Sequence, residues 1–466
     1  MTSFKPTVVN PGETSGFFLK KALAPSLTAQ QSAIARCGYS VTFLAGLNSG
    51  WFGAILPSMA QFQHLPLAQI GLLVSASSAG ALTSLIVSSP IIGKLGDVKA
   101  TLLAVTLASA GFLGLAFFSG LYPLIACAYC VGLGFGLNGI TNHILFPRYY
   151  PHRVASSLSK LNVFFGVGAL LGPMVALALL SAHAPYLFIF LGAAIYTLAI
   201  ALYLWRANAA TGSRAAEIAG EMAGENGGNK PAAALEVKSG VVDKGADTEG
   251  TLAILKHPLL IALTAINFLY VGLESSLGTW IYTFLQRADS LSGQQAAAGT
   301  TLLYAGLTLG RLISTRACLR FNPKYITMTA MLLLTTAIFS LANWHGGAFG
   351  AMALVLLSGL GLGPIFPTVI AQNAIRFPTA TGLTTTLVIA SGYVGGILLP
   401  WAAGNLIAGS GTNPASLALV AGNSMFAAAG VATLMPIILG FTLFPRGFAL
   451  RGSRLDAGAP LKDSKD

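Results

Sequence analysis

Charge is what this sequence has least of. Only 9% of its 466 residues are charged, where a soluble domain carries about 25%. So little charge cannot clothe a globular surface, which excludes a soluble enzyme or binding domain. Acids are scarcer than bases, 14 against 26, and the net charge is +12. The basic residues lie in short segments between apolar runs and form no single patch, which excludes a nucleic-acid interface. There are four cysteines, Cys37, Cys127, Cys130 and Cys318, all in or beside apolar runs. No His or acid completes a metal pattern around Cys127-x-x-Cys130, so they read as packing residues. Phosphate loops, nucleophile elbows and metal clusters are missing too, so neither an enzyme nor a cofactor is expected. No cleavable signal peptide is expected: residues 1–34 are mixed polar, and the first apolar run is long enough to span by itself.

Apolar residues are plentiful, at 54% of the chain with a mean hydropathy of +0.73. A spanning helix needs about 20 of them in a row. Runs of that kind begin near Cys37, Gln69, Thr101, Tyr122, Ala155, Pro185, Pro258, Ala296, Tyr325, Gly347, Thr379 and Leu417. The expected fold is an all-α membrane protein of about twelve transmembrane helices. Between the sixth and seventh runs lies Arg206 to His257, rich in Ala, Gly, Glu and Lys, with the linker-like string Gly227-Gly228-Asn229-Lys230-Pro231. The expected division is a tail 1–34, a six-helix bundle 35–205, a linker 206–257, a second bundle 258–445 and a tail 446–466.

Orientation follows from the basic residues. Segments 58–66, 119–120, 181–184, 343–345 and 409–414, which join odd to even helices, contain no Lys or Arg, and Arg287 alone breaks the pattern. The other side carries Lys94, Lys99, Arg148, Arg153, Arg206, Arg214, Arg316, Arg320, Lys324, Arg376, Arg446 and Arg451. Both termini and the linker are therefore expected in the cytoplasm, with the chain in the plasma or inner membrane.

The halves repeat each other. Gly132-Leu133-Gly134-Phe135-Gly136 recurs as Gly359-Leu360-Gly361-Leu362-Gly363, an offset of 359 − 132 = 227. Gly168 to Pro173 pairs with Gly395 to Pro400 at the same offset, 400 − 173 = 227. Two matches at one offset, in adjacent helices, point to a duplicated six-helix unit. Parallel repeats of this kind place a solute site at the midplane between them.

Further motifs carry a resemblance. Gly93-Lys94-Leu95-Gly96-Asp97-Val98-Lys99 resembles the loop motif of the major facilitator superfamily, and Gly168-x-x-x-Gly172-Pro173 resembles its helix 5 element. The resemblance implies two six-helix repeats that alternate access, with Gly93 and Asp97 in the conformational switch. The physical reading of the helix 5 glycines is close helix packing. Three stretches look like the fucose-permease-like branch and its sodium-dependent glucose transporter-like relatives: Tyr270-Val271-Gly272-Leu273-Glu274 with Trp280, Gly306 to Arg311, and Gly361 to Thr368. That branch uses acids in helices 1 and 4, and here both helices have none.

One acid stands in a membrane interior. Glu274 lies near the middle of the run from Pro258 to Phe284, while every other Asp and Glu falls in a tail, a loop or the linker. A carboxylate at that depth costs roughly 2.5–3.5 kcal/mol on insertion scales, and such residues are usually functional. Asn267, Tyr270 and Glu274, at i, i+3 and i+7, share one helix face. Glu274 there can exchange a proton or pair with a cation. Asn138 and Asn142 in helix 4 offer amides suited to a hydroxyl-rich solute, or to interhelical hydrogen bonds. Asn48 with Trp51, and Trp280, suit a sugar ring, although Trp280 would also serve as an interfacial anchor. Arg311 reads as a gating or interface residue, because its Gly-Arg-Leu string echoes Gly93-Lys94-Leu95. The expected function is secondary transport of a small polar organic solute, a sugar first, by rocker-switch alternating access. A proton or other coupling ion would be carried through Glu274. Two alternatives stay open: an exporter or facilitator of another metabolite or drug-like cation, and a non-transporting receptor. The lipid bilayer is the other partner, and the chain is expected to act as a monomer.

Overall fold

A computed structural model describes residues 11–149, 154–225, 254–287, 291–344, 346–378, 380–408 and 427–440. The helices are α1 (Pro11–Gln63), α2 (Leu67–Leu95), α3 (Asp97–Phe117), α4 (Leu121–Tyr149), α5 (Val154–Ser181) and α6 (Leu187–Glu225). The second half has α7 (Pro258–Arg287), α8 (Gly293–Ala317), α9 (Pro323–Ala342), α10 (Ala348–Leu362), α11 (Ile365–Arg376), α12 (Thr381–Ala408) and α13 (Ala427–Gly440). No strand occurs among the described residues. Among the described residues, ten helical stretches are long and apolar enough to cross a membrane by length and composition. α10 and α11 make up one of them, Ala348–Arg376. It is interrupted at Gly363-Pro364, where Pro364 has no N–H to give to Leu360.

Two helices run past the apolar segments read from the sequence. Helix α1 begins at Pro11, inside the expected tail, and α6 continues to Glu225, inside the expected linker. Ala, Glu and Arg are strong helix formers, so the polar stretch after Arg206 extends the helix before it. The expected run from Leu417 starts outside the described residues, which resume at Ala427.

Local chemistry sets the short turns. Gly96, between α2 and α3, has φ +76°, a left-handed conformation open to glycine. Ser292 caps α8: its hydroxyl accepts from the Gln295 N–H at 3.3 Å and its own N–H donates to the Gln295 side chain at 3.0 Å. Asn322 caps α9 by accepting from the Lys324 N–H at 3.0 Å, with Pro323 in the first helical position.

The two halves pack by one plan. In the first, α1 lies on α5, α2 and α3 lie on α4, and α3 lies on α6; in the second, α7 lies on α12, and α8 and α9 lie on α10. The repeated glycines are the seams. A Cβ on Gly134 would meet Ala104 and Ala108 of α3; one on Gly361 would meet Ala330 and Leu334 of α9. Gly132 abuts Ser77 of α2 as Gly359 abuts Leu303 of α8, and Gly168 abuts Phe43 of α1 as Gly395 abuts Phe268 of α7. These are backbone approaches that any side chain would block, which is why the duplicated string keeps glycine there. Gly168 and Gly172 therefore pack against α1.

Across the halves, α1 meets α7, α2 meets α12 and α5 meets α8. The bundle has two ends. One holds the α2–α3 turn, the α8–α9 turn and the long extension of α6, and is called the linker end below. At the opposite end α1 and α7 touch backbone to backbone. A Cβ on Gly53 would come within 2.5 Å of the Gly278 carbonyl and 2.8 Å of the Thr279 carbonyl.

Candidate functional site

A cavity of about 270 Å³ lies between the halves. Its polar lining comes from Asn48 and Ser49 of α1, Ser77 and Ser78 of α2, and Glu274, Ser275 and Thr279 of α7. Phe52, Phe165 and Tyr304 give it aromatic walls, and Leu73, Val74 and Val271 add apolar surface. It resembles a small-molecule site: mostly apolar, with a few converging polar groups.

Glu274 is not alone there. Arg311 of α8 donates to Glu274 Oε1 at 3.4 Å and to the Tyr270 hydroxyl at 3.4 Å. The guanidinium also lies 5.6 Å from the ring centroid of Phe165, which belongs to α5 in the other half. Both charged side chains keep 19% of their surface accessible. The pair explains how a carboxylate tolerates this depth: the guanidinium balances it, at a separation on the long side for a charge-assisted bond. The sequence reading gave Arg311 as a gating or interface residue. The structure carries it inward, onto the Glu274 face of α7, one helix over.

Next to the pair, the Tyr304 hydroxyl donates to the Ser49 carbonyl at 2.8 Å, joining α8 to α1. Ser75 donates to the Ile397 carbonyl at 2.7 Å, joining α2 to α12. Trp280 is buried and donates its indole N–H to the Pro400 carbonyl at 3.1 Å. Its ring would meet a Cβ on Gly71 of α2 at 2.5 Å and one on Gly404 of α12 at 2.9 Å. Trp280 thus wedges three helices together near the opposite end.

Of the residues singled out from sequence, Asn48 and Glu274 line the cavity, and Tyr270 and Arg311 reach it through Glu274. Asn267 is fully buried and donates to the Val388 carbonyl on α12, so it ties two helices of one half together. Asn138 and Asn142 are buried in α4 away from the cavity, and Asn142 meets α1 at Gly38. Trp51 is buried near Gly172 of α5. Gly93 lies inside α2 with open space where a Cβ would stand, and Asp97 opens α3 just after the Gly96 turn. Sequence reasoning passed over Tyr304, Phe165 and the serines of α2 and α7. Tyr304 had a signal: it stands seven residues before Arg311, on the same face of α8.

Among known proteins, a 4-hydroxybenzoate transporter, PcaK, of Pseudomonas putida is 25% identical over 391 residues, spanning 79% of this chain and 84% of the relative. Bypass of stop codon protein 6 of Saccharomyces cerevisiae is 21% identical over 384 residues, spanning 77% of this chain and 74% of the relative. The fold matches a D-xylose-proton symporter with a TM-score of 0.69 at 13% identity, over 87% of this chain and 96% of that one. A bacterial homologue of the human lysosomal transporter Spinster matches with a TM-score of 0.68 at 15% identity, over 88% and 96%. These sequence relatives do not support the fucose-permease-like branch. The Major Facilitator Superfamily model matches residues 38–400, and together with the duplicated helical halves around one central cavity it makes this chain a member of that superfamily, a membrane transporter of small solutes.

Proposed function

We propose that the chain transports a small aromatic carboxylate, with Arg311 as the anchor for the carboxylate group. The observation that carries this reading is the Arg311 guanidinium, held at 3.4 Å from Glu274 beside an aromatic-walled cavity of about 270 Å³. A carboxylate can take two guanidinium N–H groups at about 2.7–2.9 Å. That is tighter than the 3.4 Å contact between Arg311 and Glu274, so an incoming anion can compete for the arginine. Phe52, Phe165 and Tyr304 suit a flat ring, and Asn48, Ser77, Ser78 and Thr279 suit a ring hydroxyl. The relative's solute, 4-hydroxybenzoate, has this chemistry. A sugar would leave the guanidinium without an anionic partner from the solute.

In this reading Glu274, displaced from Arg311, takes up a proton, so that solute and proton travel together. The linker end is the cytoplasmic end, because its turns carry the basic residues. The contacts described between α1 and α7, and around Trp280, close the opposite end. The proposed state is therefore open toward the cytoplasm, and rocking about Tyr304–Ser49 and Ser75–Ile397 would alternate access.

Uptake into proteoliposomes tests this directly. Labelled 4-hydroxybenzoate should accumulate under an inward proton gradient, and benzoate should compete where D-xylose does not. Saturable D-xylose uptake without 4-hydroxybenzoate uptake would overturn the proposal. Binding of 4-hydroxybenzoate with no flux under any gradient would favour a receptor.

A further inference from the structure

We infer that the groove between α8 and α9 seats an acyl chain of an anionic phospholipid, with Arg316, Arg320 and Lys324 around its headgroup. The groove has a structural origin. Helices α8 and α9 both pack on α10 and scarcely on each other. They leave a channel of about 380 Å³ floored by Leu360 and Pro364 and walled by Ile313, Phe321, Tyr325 and Leu333. It opens outward: Ile313, Phe321 and Tyr325 are 56%, 64% and 66% accessible. Apolar walls on the outer face of a membrane-spanning bundle meet lipid chains.

The rim decides which lipid. Arg316 and Arg320 are exposed and Lys324 is half-buried, all within or next to the short α8–α9 turn. From residue 312 to 344 the chain has no Asp or Glu. The repeat-related turn is different. Gly134 packs on Ala104 and Gly361 on Ala330, an offset of 330 − 104 = 226, so the start of α3 at Asp97 corresponds to the start of α9 at Pro323 (323 − 97 = 226). There Asp97 stands in the first helical turn near Lys94 and Lys99, whereas the first turn of α9 has no acid. The second-half turn thus carries three cations and no acid, and Arg316, Arg320 and Lys324 each stand next in sequence to a channel residue, Ala317, Phe321 and Tyr325. Clustered Lys and Arg beside a spanning helix attract anionic headgroups. A soluble phosphate would satisfy the cations and leave the channel unused; a zwitterionic lipid would fill the channel and leave the cations unbalanced.

The test uses the full-length protein, delipidated in a neutral detergent, with thermal unfolding as readout. Phosphatidylglycerol should raise Tm by about 3 °C or more above phosphatidylcholine, since a ligand of the folded state stabilises it. Glycerol phosphate, which has the headgroup charge without tails, should give no comparable shift. Arg316→Gln combined with Arg320→Gln should abolish the preference for phosphatidylglycerol. Lys94→Gln combined with Lys99→Gln, on the repeat-related turn, should keep it. Thr329→Phe, which fills the channel, should reduce the phosphatidylglycerol shift with every cation still present. Equal shifts from both lipids, an equal shift from glycerol phosphate, or a preference that survives Arg316→Gln with Arg320→Gln would overturn the inference.

Discussion

Glu274 and Arg311 lie 37 positions apart, and the long contact between them carries the proposed chemistry. Glu274→Gln keeps a hydrogen-bonding side chain of the same shape but removes the charge. Accumulation of 4-hydroxybenzoate against a gradient should then be lost, while exchange of labelled for unlabelled solute at equal pH persists within several-fold. Loss of both together would sink the proton role and leave only a structural one. Arg311→Gln should abolish both modes. Truncating one partner of a hydrogen-bonded charge pair costs about 2–5 kcal/mol, or roughly 30- to 4,000-fold in apparent affinity at about 1.4 kcal/mol per tenfold. Arg311→Lys should recover little, because an ammonium cannot offer a planar two-pronged contact. Full activity in Arg311→Lys would argue that the anion is bound elsewhere.

At the scale of the element, His257 caps the linker end of α7. Its Nδ1 accepts from the Leu259 N–H at 3.2 Å, its ring meets Phe377 edge-on at 5.2 Å, and its Nε2 lies 3.3 Å from the Arg376 guanidinium. Partial burial first, and the Arg376 charge second, lower its pKa from the ordinary histidine range. The folded state therefore binds this proton less readily than the unfolded chain. The resulting stability is fully present above about pH 6.5, the unfolded value, and is lost as pH falls toward the lowered folded value. Protonation also removes the lone pair that caps α7. Tm should accordingly fall between pH 7 and pH 5, and His257→Asn, which keeps a capping oxygen, should make that fall shallower. An unchanged slope would show that other groups set it. Gly53 acts at the crossing of α1 with α7. Gly53→Val would push the helices apart at the opposite end, so turnover should drop by roughly tenfold, the effect of about 1.4 kcal/mol on a barrier, while solute binding is retained. Normal turnover in Gly53→Val would mean that this close approach is not part of the cycle.

For the whole molecule, orientation can be read from one thiol. Cys318 is exposed in the α8–α9 turn, Cys37 and Cys127 are buried, and Cys130 is half-buried. In a Cys130→Ser background, a membrane-impermeant maleimide should modify Cys318 in inside-out vesicles and spare it in right-side-out ones. The reverse pattern would invert the proposed topology and place the basic turns outside. The same scale accounts for the cavity. It lies between two halves with one packing plan, and Tyr304–Ser49 and Ser75–Ile397 cross that boundary.

The sequence by itself determined that this is a helical membrane protein in two related halves. Spanning length and the cost of charge in lipid are local properties of composition, and the glycine strings mark backbone approaches that allow no side chain. It also isolated Glu274, because one acid among apolar neighbours is visible without any structure. The tertiary structure decided what Glu274 faces. A helix in lipid is apolar all round, so its rotation about its own axis is set by its neighbours. Asn267 and Trp280, on the same helix as Glu274, accordingly turn to α12 and brace the bundle. Arg311 comes to Glu274 only because α7 and α8 pack side by side at that register. That contact supports an organic anion over a sugar as the proposed solute, since it sets a guanidinium beside the cavity that Glu274 lines.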